Sequence, residues 1–373
     1  MAQYVLDLVY SLTTCMSCFP SSPNLTINAR SFKILSLLGE GGFSYVYLVQ
    51  DPSGSLYALK KIRCPFGQES VSIAIREAES YKRFHNANLI TSVDYAIVTG
   101  SSSGTTMGQS DDGTEKTVYI LLPYFRRGNL QDAVNANLVN HAVFPEKMLM
   151  KLFEGVCRGV QALHEHKVQG PTAAATEPSQ GQEVPLMAAR EEGGSEGTLR
   201  AYAHRDIKPG NIMISDDGTT PVLMDFGSLT PSPTPVTTRT MALEIQDNAA
   251  ETSTMPYRAP ELFDVKTGSV VDEKVDIWSL GATLFCALYG HSPFELATEE
   301  SGGSLALAVC SGSYAFPEVG RLGGRKPGQK DVSESVKNIV KMCLRVEPSE
   351  RPGIRELIAE TKKVIDELPE DEE

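Results

Sequence analysis

His204-Arg205-Asp206-Ile207-Lys208-Pro209-Gly210-Asn211 is the stretch on which the reading of the whole chain turns. It places a carboxylate, an ammonium group and a carboxamide in one short loop. Tyr202-Ala203 lead in and Ile212-Met213-Ile214 follow, so the loop reads as a rigid turn between two short strands. The spacing suits phosphoryl transfer, which needs an oriented hydroxyl, a neutralised phosphate and a held metal ion. Asp206 is placed to accept the hydroxyl proton and Lys208 to lie against the transferring phosphate. Asn211 offers an amide oxygen, the donor type that Mg²⁺ prefers.

Working outward, Val222-Leu223-Met224 reads as a short buried strand that ends at Asp225-Phe226-Gly227. Asp225 is a second oxygen ligand for Mg²⁺ between two phosphates. From Ser228 to Met255 the chain is rich in Ser and Thr, with a helical patch expected near Leu243 to Ala250. Thr254 is expected to hydrogen-bond Asp206 and Lys208, the plainer alternative being a polar loop residue. Ala259-Pro260-Glu261 closes the segment. Asp276-Ile277-Trp278-Ser279-Leu280-Gly281 opens an apolar helix through Leu288, with Asp276 bracing the loop backbone from below. Arg351 would pair with Glu261, a structural rather than catalytic contact.

Toward the N-terminus, Met148 to His166 repeats Leu152, Val156, Val160 and Leu163 at helical spacing. About 169–199 is rich in Ala, Gly, Glu and Pro, a composition that cannot bury a core. It reads as an insertion looped out before the catalytic loop, with a linker between independent domains as the rival. Tyr95-Ala96-Ile97-Val98 and Val118-Tyr119-Ile120-Leu121-Leu122 read as a β-hairpin with a long Ser- and Gly-rich tip. Pro123-Tyr124-Phe125 leaves it, and Gly128-Asn129-Leu130 starts a helix.

Phe32 to Gln50 reads as a twisted hairpin around Gly39-Glu40-Gly41-Gly42-Phe43-Ser44, where Ser44 replaces the last glycine of a G-x-G-x-x-G pattern. Glycines let backbone amides approach a phosphate without an intervening Cβ. An ordinary hairpin turn is the alternative. Tyr57-Ala58-Leu59-Lys60 continues as a strand. Lys60 would face the phosphates, and Lys61, its strand neighbour, would face away. Val71 to Phe84 reads as a helix. It offers Glu77 or Glu79 to Lys60, and the distance to Asn88-Leu89-Ile90 favours Glu77.

The chain has 373 residues, enough for one large domain or two small ones, and 41% hydrophobic content suffices for a core. A net charge of -13 argues against nucleic-acid binding, which needs clustered Lys and Arg. Seven scattered cysteines fit a reducing compartment better than a disulfide framework. Residues 1–30 read as a tail. Tyr4 to Tyr10 is apolar except at Asp7, too short to span a bilayer and without the basic flank of a secretory signal. Cys15 and Cys18 follow it as candidates for S-acylation, with two idle thiols as the alternative. Ala at position 2 excludes N-myristoylation. The acidic end, 369–373, is expected to fray.

In this order from Phe32 to Leu368, these pieces resemble a eukaryotic protein kinase. The run Leu38-Gly39-Glu40-Gly41-Gly42-Phe43-Ser44-Tyr45-Val46 is similar to the Numb-associated kinase family. Tyr57-Ala58-Leu59-Lys60, Tyr202-Ala203-His204-Arg205-Asp206 and Pro221-Val222-Leu223-Met224-Asp225 resemble its myristoylated-and-palmitoylated serine/threonine branch, which includes fungal vacuolar relatives. The resemblance implies a two-lobed α+β fold, with a small β-rich lobe over 31–122 and a larger helical lobe over 123–368.

The resemblance also implies ATP, Mg²⁺ and transfer to Ser or Thr of protein substrates, with autophosphorylation. Lys208 favours Ser/Thr over Tyr acceptors. The glycine turn, Val46, Ala58, Lys60 and Glu77 would then hold ATP. Leu122 would back the adenine pocket, and Pro123 and Phe125 would flank the backbone that binds the base. Asn211 and Asp225 would take the metal. Phe226 and Gly227 complete the metal-binding turn, and Arg205 would read a phosphate on the segment after it. Attachment to the cytoplasmic face of a Golgi, endosomal or vacuolar membrane, beside a cytosolic pool, is a further implication. With no Gly at position 2, Cys15 and Cys18 would have to supply the two acyl chains that a stable anchor needs. A partner-binding scaffold without chemistry and a small-molecule kinase on the same fold are the rivals.

Overall fold

Runs rich in Val, Ile, Leu and Tyr recur through the first third of the chain, and in the computed structural model they pair as one antiparallel sheet. The structure describes residues 24–65, 67–99, 116–166, 200–318 and 331–370. The chain divides into two compact units, one of the described residues up to Ala78 with Ser92–Tyr124, the other of Glu79–Thr91 with the chain from Phe125 onward.

The first unit is built on β1 (Asn24–Ile27), β2 (Arg30–Glu40), β3 (Ser44–Gln50), β4 (Leu56–Cys64), β5 (Asp94–Thr99) and β6 (Lys116–Pro123), in the order β1-β2-β3-β4-β6-β5. The sheet starts earlier than the Phe32 start of the sequence pattern, because β1 pairs back onto β2 through a tight turn. Asn28 and Ala29 both take positive φ there, the geometry of a two-residue hairpin whose twist matches its strands. Asn28 Nδ2 donates to Tyr95 O at 3.0 Å, so the turn at one sheet edge reaches the strand at the other. Ile27, Phe32, Val49, Leu59 and Leu121 are buried inside this curl. Two register shifts in the β2–β3 pair, at Ile34/Ser36 and Leu37/Gly39, add the twist that the curl requires. Helix α1 (Gly67–Arg83) begins one turn before the expected Val71, because its first turn is polar and leaves no apolar signal.

In the second unit, residues 88–90 are stitched to the strand β9 (Pro221–Leu223). Leu223 N donates to Asn88 O at 2.9 Å, Ile90 N to Leu223 O at 3.0 Å, and Asn88 Nδ2 to Pro221 O at 2.9 Å. Helix α2 (Leu130–Asn140) starts at a reciprocal cap, Asn129 accepting from Asp132 N while Asp132 accepts from Asn129 N. Helix α3 (Glu146–His164) presents Leu149, Leu152, Phe153, Val156, Val160 and Leu163 to the core. Strand β7 (Ala201–Ala203) pairs with β10 (Thr230–Ser232), β8 (Ile212–Ile214) with β9, and β11 (Thr234–Pro235) with β12 (Val270–Val271). Arg200 N donates to His166 O at 2.7 Å, so the chain on either side of 167–199 is joined at one point.

The expected helical patch is longer than Leu243–Ala250. Helix α4 runs Arg239–Thr252, started by Thr238, whose hydroxyl accepts from Met241 N at 3.2 Å. Helix α5 (Lys274–Tyr289) is buried at every residue from Val275 to Tyr289, which explains its apolar character all round. Around it stand α6 (Pro293–Ser301), α7 (Leu305–Ser311), α8 (Glu334–Cys343) and α9 (Ile354–Glu367).

Helices α5 and α8 approach closely at Gly281, where an added Cβ would lie 2.5 Å from Cys343 Cβ. The two helices must separate to admit it. Gly281→Ala is therefore expected to lower stability by about 1–3 kcal/mol, measured as a fall in the urea midpoint at constant slope.

Candidate active site

The loop from His204 to Asn211 hangs from one carboxylate. Asp276, in the first turn of α5 and fully buried, accepts from His204 N at 2.7 Å through Oδ2 and from Arg205 N at 2.8 Å through Oδ1. His164 Nε2, at the end of α3, lies 2.9 Å from Oδ2. Burial pushes this carboxyl up, but the His164 hydrogen bond, the two nearby imidazoles and the Arg205 amide hold it below the usual carboxylate range. Arg205 sits at φ +68, where a side chain is strained, so the two amide bonds to Asp276 keep the chain in that turn. Its guanidinium is buried and its Nε has no partner. Burial pulls its pKa down to about 10, against the pull of Asp276. Ser228 Oγ bonds the His204 carbonyl at 2.6 Å, tying the downstream turn to the loop.

Asp206 is the focus of the polar groups that the loop presents. Its Oδ1 accepts from Thr254 N at 2.9 Å and Thr254 Oγ1 at 2.7 Å. Its Oδ2 accepts from Lys208 Nζ at 2.8 Å and Asn211 Nδ2 at 3.0 Å. Lys208 Nζ also donates to Thr254 Oγ1 at 2.6 Å. Asn211 spends its amide nitrogen on Asp206, with a second bond to the Asp206 carbonyl at 2.8 Å, which leaves the amide oxygen as its outward acceptor.

The β8–β9 hairpin sets Asn211 beside Asp225. Met224 N donates to Asn211 O at 2.9 Å, and Asp225 follows at φ +66 with Oδ1 accepting from Gly227 N at 3.4 Å. Phe226 is buried among Tyr81, Phe84 and His204, with ring centroids at 5.0, 6.0 and 5.9 Å. Asn211 and Asp225 are hard oxygen donors and suit Mg²⁺. Among the described residues no group of three or more His, Cys, Asp or Glu is placed to hold a metal. A Mg²⁺ ion on these two donors would complete its shell from phosphate oxygens and water.

In the first unit, Lys60 Nζ donates to Glu77 Oε1 at 2.6 Å, with both side chains largely buried, while Glu79 is exposed. The glycine turn joins β2 to β3. Gly39 pairs with Val46, Glu40 with Tyr45, and Gly41 N donates to Ser44 O at 2.8 Å. A Cβ at Gly39 or Gly42 would meet nothing within 4 Å, so the turn has an open face, and Phe43 at its tip is exposed. Ala58 lies opposite Leu122 across β4 and β6; Leu122 is buried and Pro123 ends the strand. Phe125 opens the second unit's chain from there and is half-buried.

Arg351 is fully satisfied. It takes Glu261 in a fork, NH1 to Oε1 at 2.7 Å and NH2 to Oε2 at 2.8 Å, and donates to the carbonyls of Arg345, Lys274 and Val346. Its guanidinium lies 5.2 Å above the Trp278 ring. Three contributors were not legible in the sequence: His164, Ser228 and Arg258. His164 carries only the signal of a histidine on the apolar face of α3. Cys15 and Cys18 lie outside the described residues.

The protein kinase domain family matches this chain over residues 32–169 and 200–361. The chain is 38% identical over 338 residues to serine/threonine-protein kinase ppk13 of Schizosaccharomyces pombe, covering 89% of this chain and 90% of that protein. It is 35% identical to serine/threonine-protein kinase ENV7 of Saccharomyces cerevisiae, over 96% of this chain and 98% of that one. It is 31% identical to human serine/threonine-protein kinase 16, over 92% and 93%.

Because Asp276 is held below its unfolded value near 3.8, the unfolded chain binds the extra proton first as pH falls. The stabilisation is complete above that value and is lost as pH drops through the lower folded one. Asp276→Asn is expected to cost about 3 kcal/mol at pH 7. The gap to wild type should narrow below about pH 4, measured by urea unfolding across pH 3–7.

Proposed function

The chain belongs to the protein kinase family, and on that premise we propose that it transfers the γ-phosphate of ATP to Ser or Thr side chains of proteins, itself included. One observation carries this reading: Asp206 is hydrogen-bonded by Lys208, Asn211 and Thr254 together. A carboxylate aligned this way can orient an incoming hydroxyl and take its proton, the role that phosphoryl transfer asks of a base. Lys208, which donates to both Asp206 and Thr254, would neutralise the oxygens of the phosphoryl group as it passes to the acceptor hydroxyl. In the first unit, Lys60, held by Glu77, takes the nucleotide phosphates, and the open glycine turn covers them. In the second, Asn211 and Asp225 hold Mg²⁺, which when bound would neutralise charge on the phosphate oxygens. Most of the acceleration then comes from alignment and electrostatic stabilisation. The relatives' names, serine/threonine-protein kinase in each case, favour this reading over a scaffold or a small-molecule kinase.

The same proposal extends to location. Acyl chains on Cys15 and Cys18, beside the apolar run from Tyr4 to Tyr10, hold the protein on the cytoplasmic face of a vacuolar, Golgi or endosomal membrane, with a pool in the cytosol. Among the described residues no helix is long and apolar enough to cross a membrane.

Asp206→Asn should lower kcat by about a hundredfold or more while leaving the KM for ATP within a factor of about three, read with labelled ATP and a Ser/Thr peptide panel. Unchanged turnover would remove Asp206 from the role of base, and turnover only on small alcohols would favour the small-molecule rival. Cys15→Ser combined with Cys18→Ser should move the protein from the membrane pellet to the soluble fraction on ultracentrifugation. An unchanged distribution would rule out these thiols as the anchor.

A further inference from the structure

Arg258 is buried, yet it lies on none of the atoms that the reaction uses. Its NH2 donates to Ser253 O at 2.8 Å and to Ala250 O at 3.3 Å, and its guanidinium stands 5.0 Å over the Phe263 ring. Its Nε is buried without a hydrogen-bond partner. These two carbonyls belong to the end of α4, where the last intrahelical bond runs from Ser253 N to Ala249 O. Carbonyls past that point have no acceptor role left within the helix, and a cation at a helix C-terminus is favoured.

What the cation holds is connected to the site by one covalent unit. Ser253 C=O and Thr254 N–H are the two polar ends of the same peptide group. A trans peptide is planar, with oxygen and hydrogen on opposite edges. Arg258 takes the oxygen edge, and Asp206 Oδ1 takes the hydrogen edge at 2.9 Å. Fixing one edge fixes the direction of the other. The Thr254 hydroxyl, which bridges Lys208 and Asp206, is carried on the same residue. An arginine whose burial leaves Nε unpaired carries a desolvation cost that helix capping alone would not require. A lysine at this place reaches one carbonyl and lacks the flat face that covers Phe263.

We infer that Arg258 is a positioning residue: by gripping the Ser253 carbonyl it aims the Ser253–Thr254 peptide, and with it the Thr254 hydroxyl, at Asp206. The inference rests on the reading of Asp206 as the group that orients the acceptor hydroxyl. Burial draws the guanidinium's pKa down while the Asp206 charge raises it, as expected for a cation packed behind that carboxylate.

The test is a double-mutant cycle on the full chain, Arg258→Ala and Thr254→Val singly and together, with kcat, KM for ATP and KM for peptide measured for each, and with amide hydrogen exchange followed at Thr254. Arg258→Ala should cost about tenfold or more in kcat with the KM for ATP little changed. The cost should shrink to less than about threefold once Thr254 is valine, because both changes remove the same alignment. Exchange at the Thr254 amide should rise while that within α5 stays unchanged. Equal losses in both backgrounds, or an unaltered Thr254 amide in Arg258→Ala, would overturn the inference. If Arg258→Ala does not accumulate folded, Arg258→Met, which keeps an apolar stem in the same space but has no donor for the Ser253 carbonyl, runs the same cycle, and the same outcomes decide it. The exchange measurement separates the two readings: full turnover in Asp206→Asn would overturn the base, whereas an undisturbed Thr254 amide would overturn the positioning alone.

Discussion

A buried carboxylate that accepts two consecutive backbone amides is the constraint from which the second unit's chemistry follows. Asp276 holds His204 N and Arg205 N and so keeps Arg205 in a left-handed conformation that its side chain would otherwise resist. Turning the chain at that residue is what sends Asp206, Lys208 and Asn211 to one side of the loop. The carboxylate tolerates burial because every approaching group is a donor: two amides and the His164 imidazole. It is placed by the most thoroughly buried helix described, α5, so the loop from His204 to Asn211 inherits the rigidity of the core rather than the mobility of a surface turn.

Two kinds of charged pair serve different ends. Arg351 and Glu261 form a forked contact whose remaining donors are all consumed by carbonyls, and nothing in it is left to act on a substrate. It joins the end of the segment after Asp225 to the chain just before α9. Lys60 and Glu77 meet in the other unit, the ammonium group donating to one carboxylate oxygen at 2.6 Å. Burial does not tell the two pairs apart, since both are largely buried; the forked geometry of the arginine contact does.

The His204–Asn211 loop, the Asp225 turn and the Lys60 strand were legible because polar groups at fixed spacing stand out against short apolar strands. Glu77 was favoured over Glu79 by its distance to Asn88-Leu89-Ile90, and residues two apart on a helix point to different sides, so only Glu77 faces Lys60. Strand β1 was not legible: four residues carry too little pattern, and its turn depends on positive φ at Asn28 and Ala29 rather than on a glycine. The start of α1 was missed because a polar first turn has no periodicity to read. The partners His164 and Arg258 were invisible for different reasons. His164 acts on a carboxylate 112 residues away that only folding brings near, and Arg258 acts on carbonyls five and eight residues before it, main-chain acceptors that carry no side-chain signal.

The bond between Arg200 N and His166 O has a consequence for how such chains can diverge. It pins both ends of the intervening stretch, 167–199, at a single doorway. The entropy of joining two fixed ends rises only logarithmically with the number of residues between them, about 0.6 kcal/mol for each doubling. Lineages can therefore lengthen or trim that stretch at small thermodynamic cost, and new sequence can be tried there while the register of the chain entering His204 stays the same.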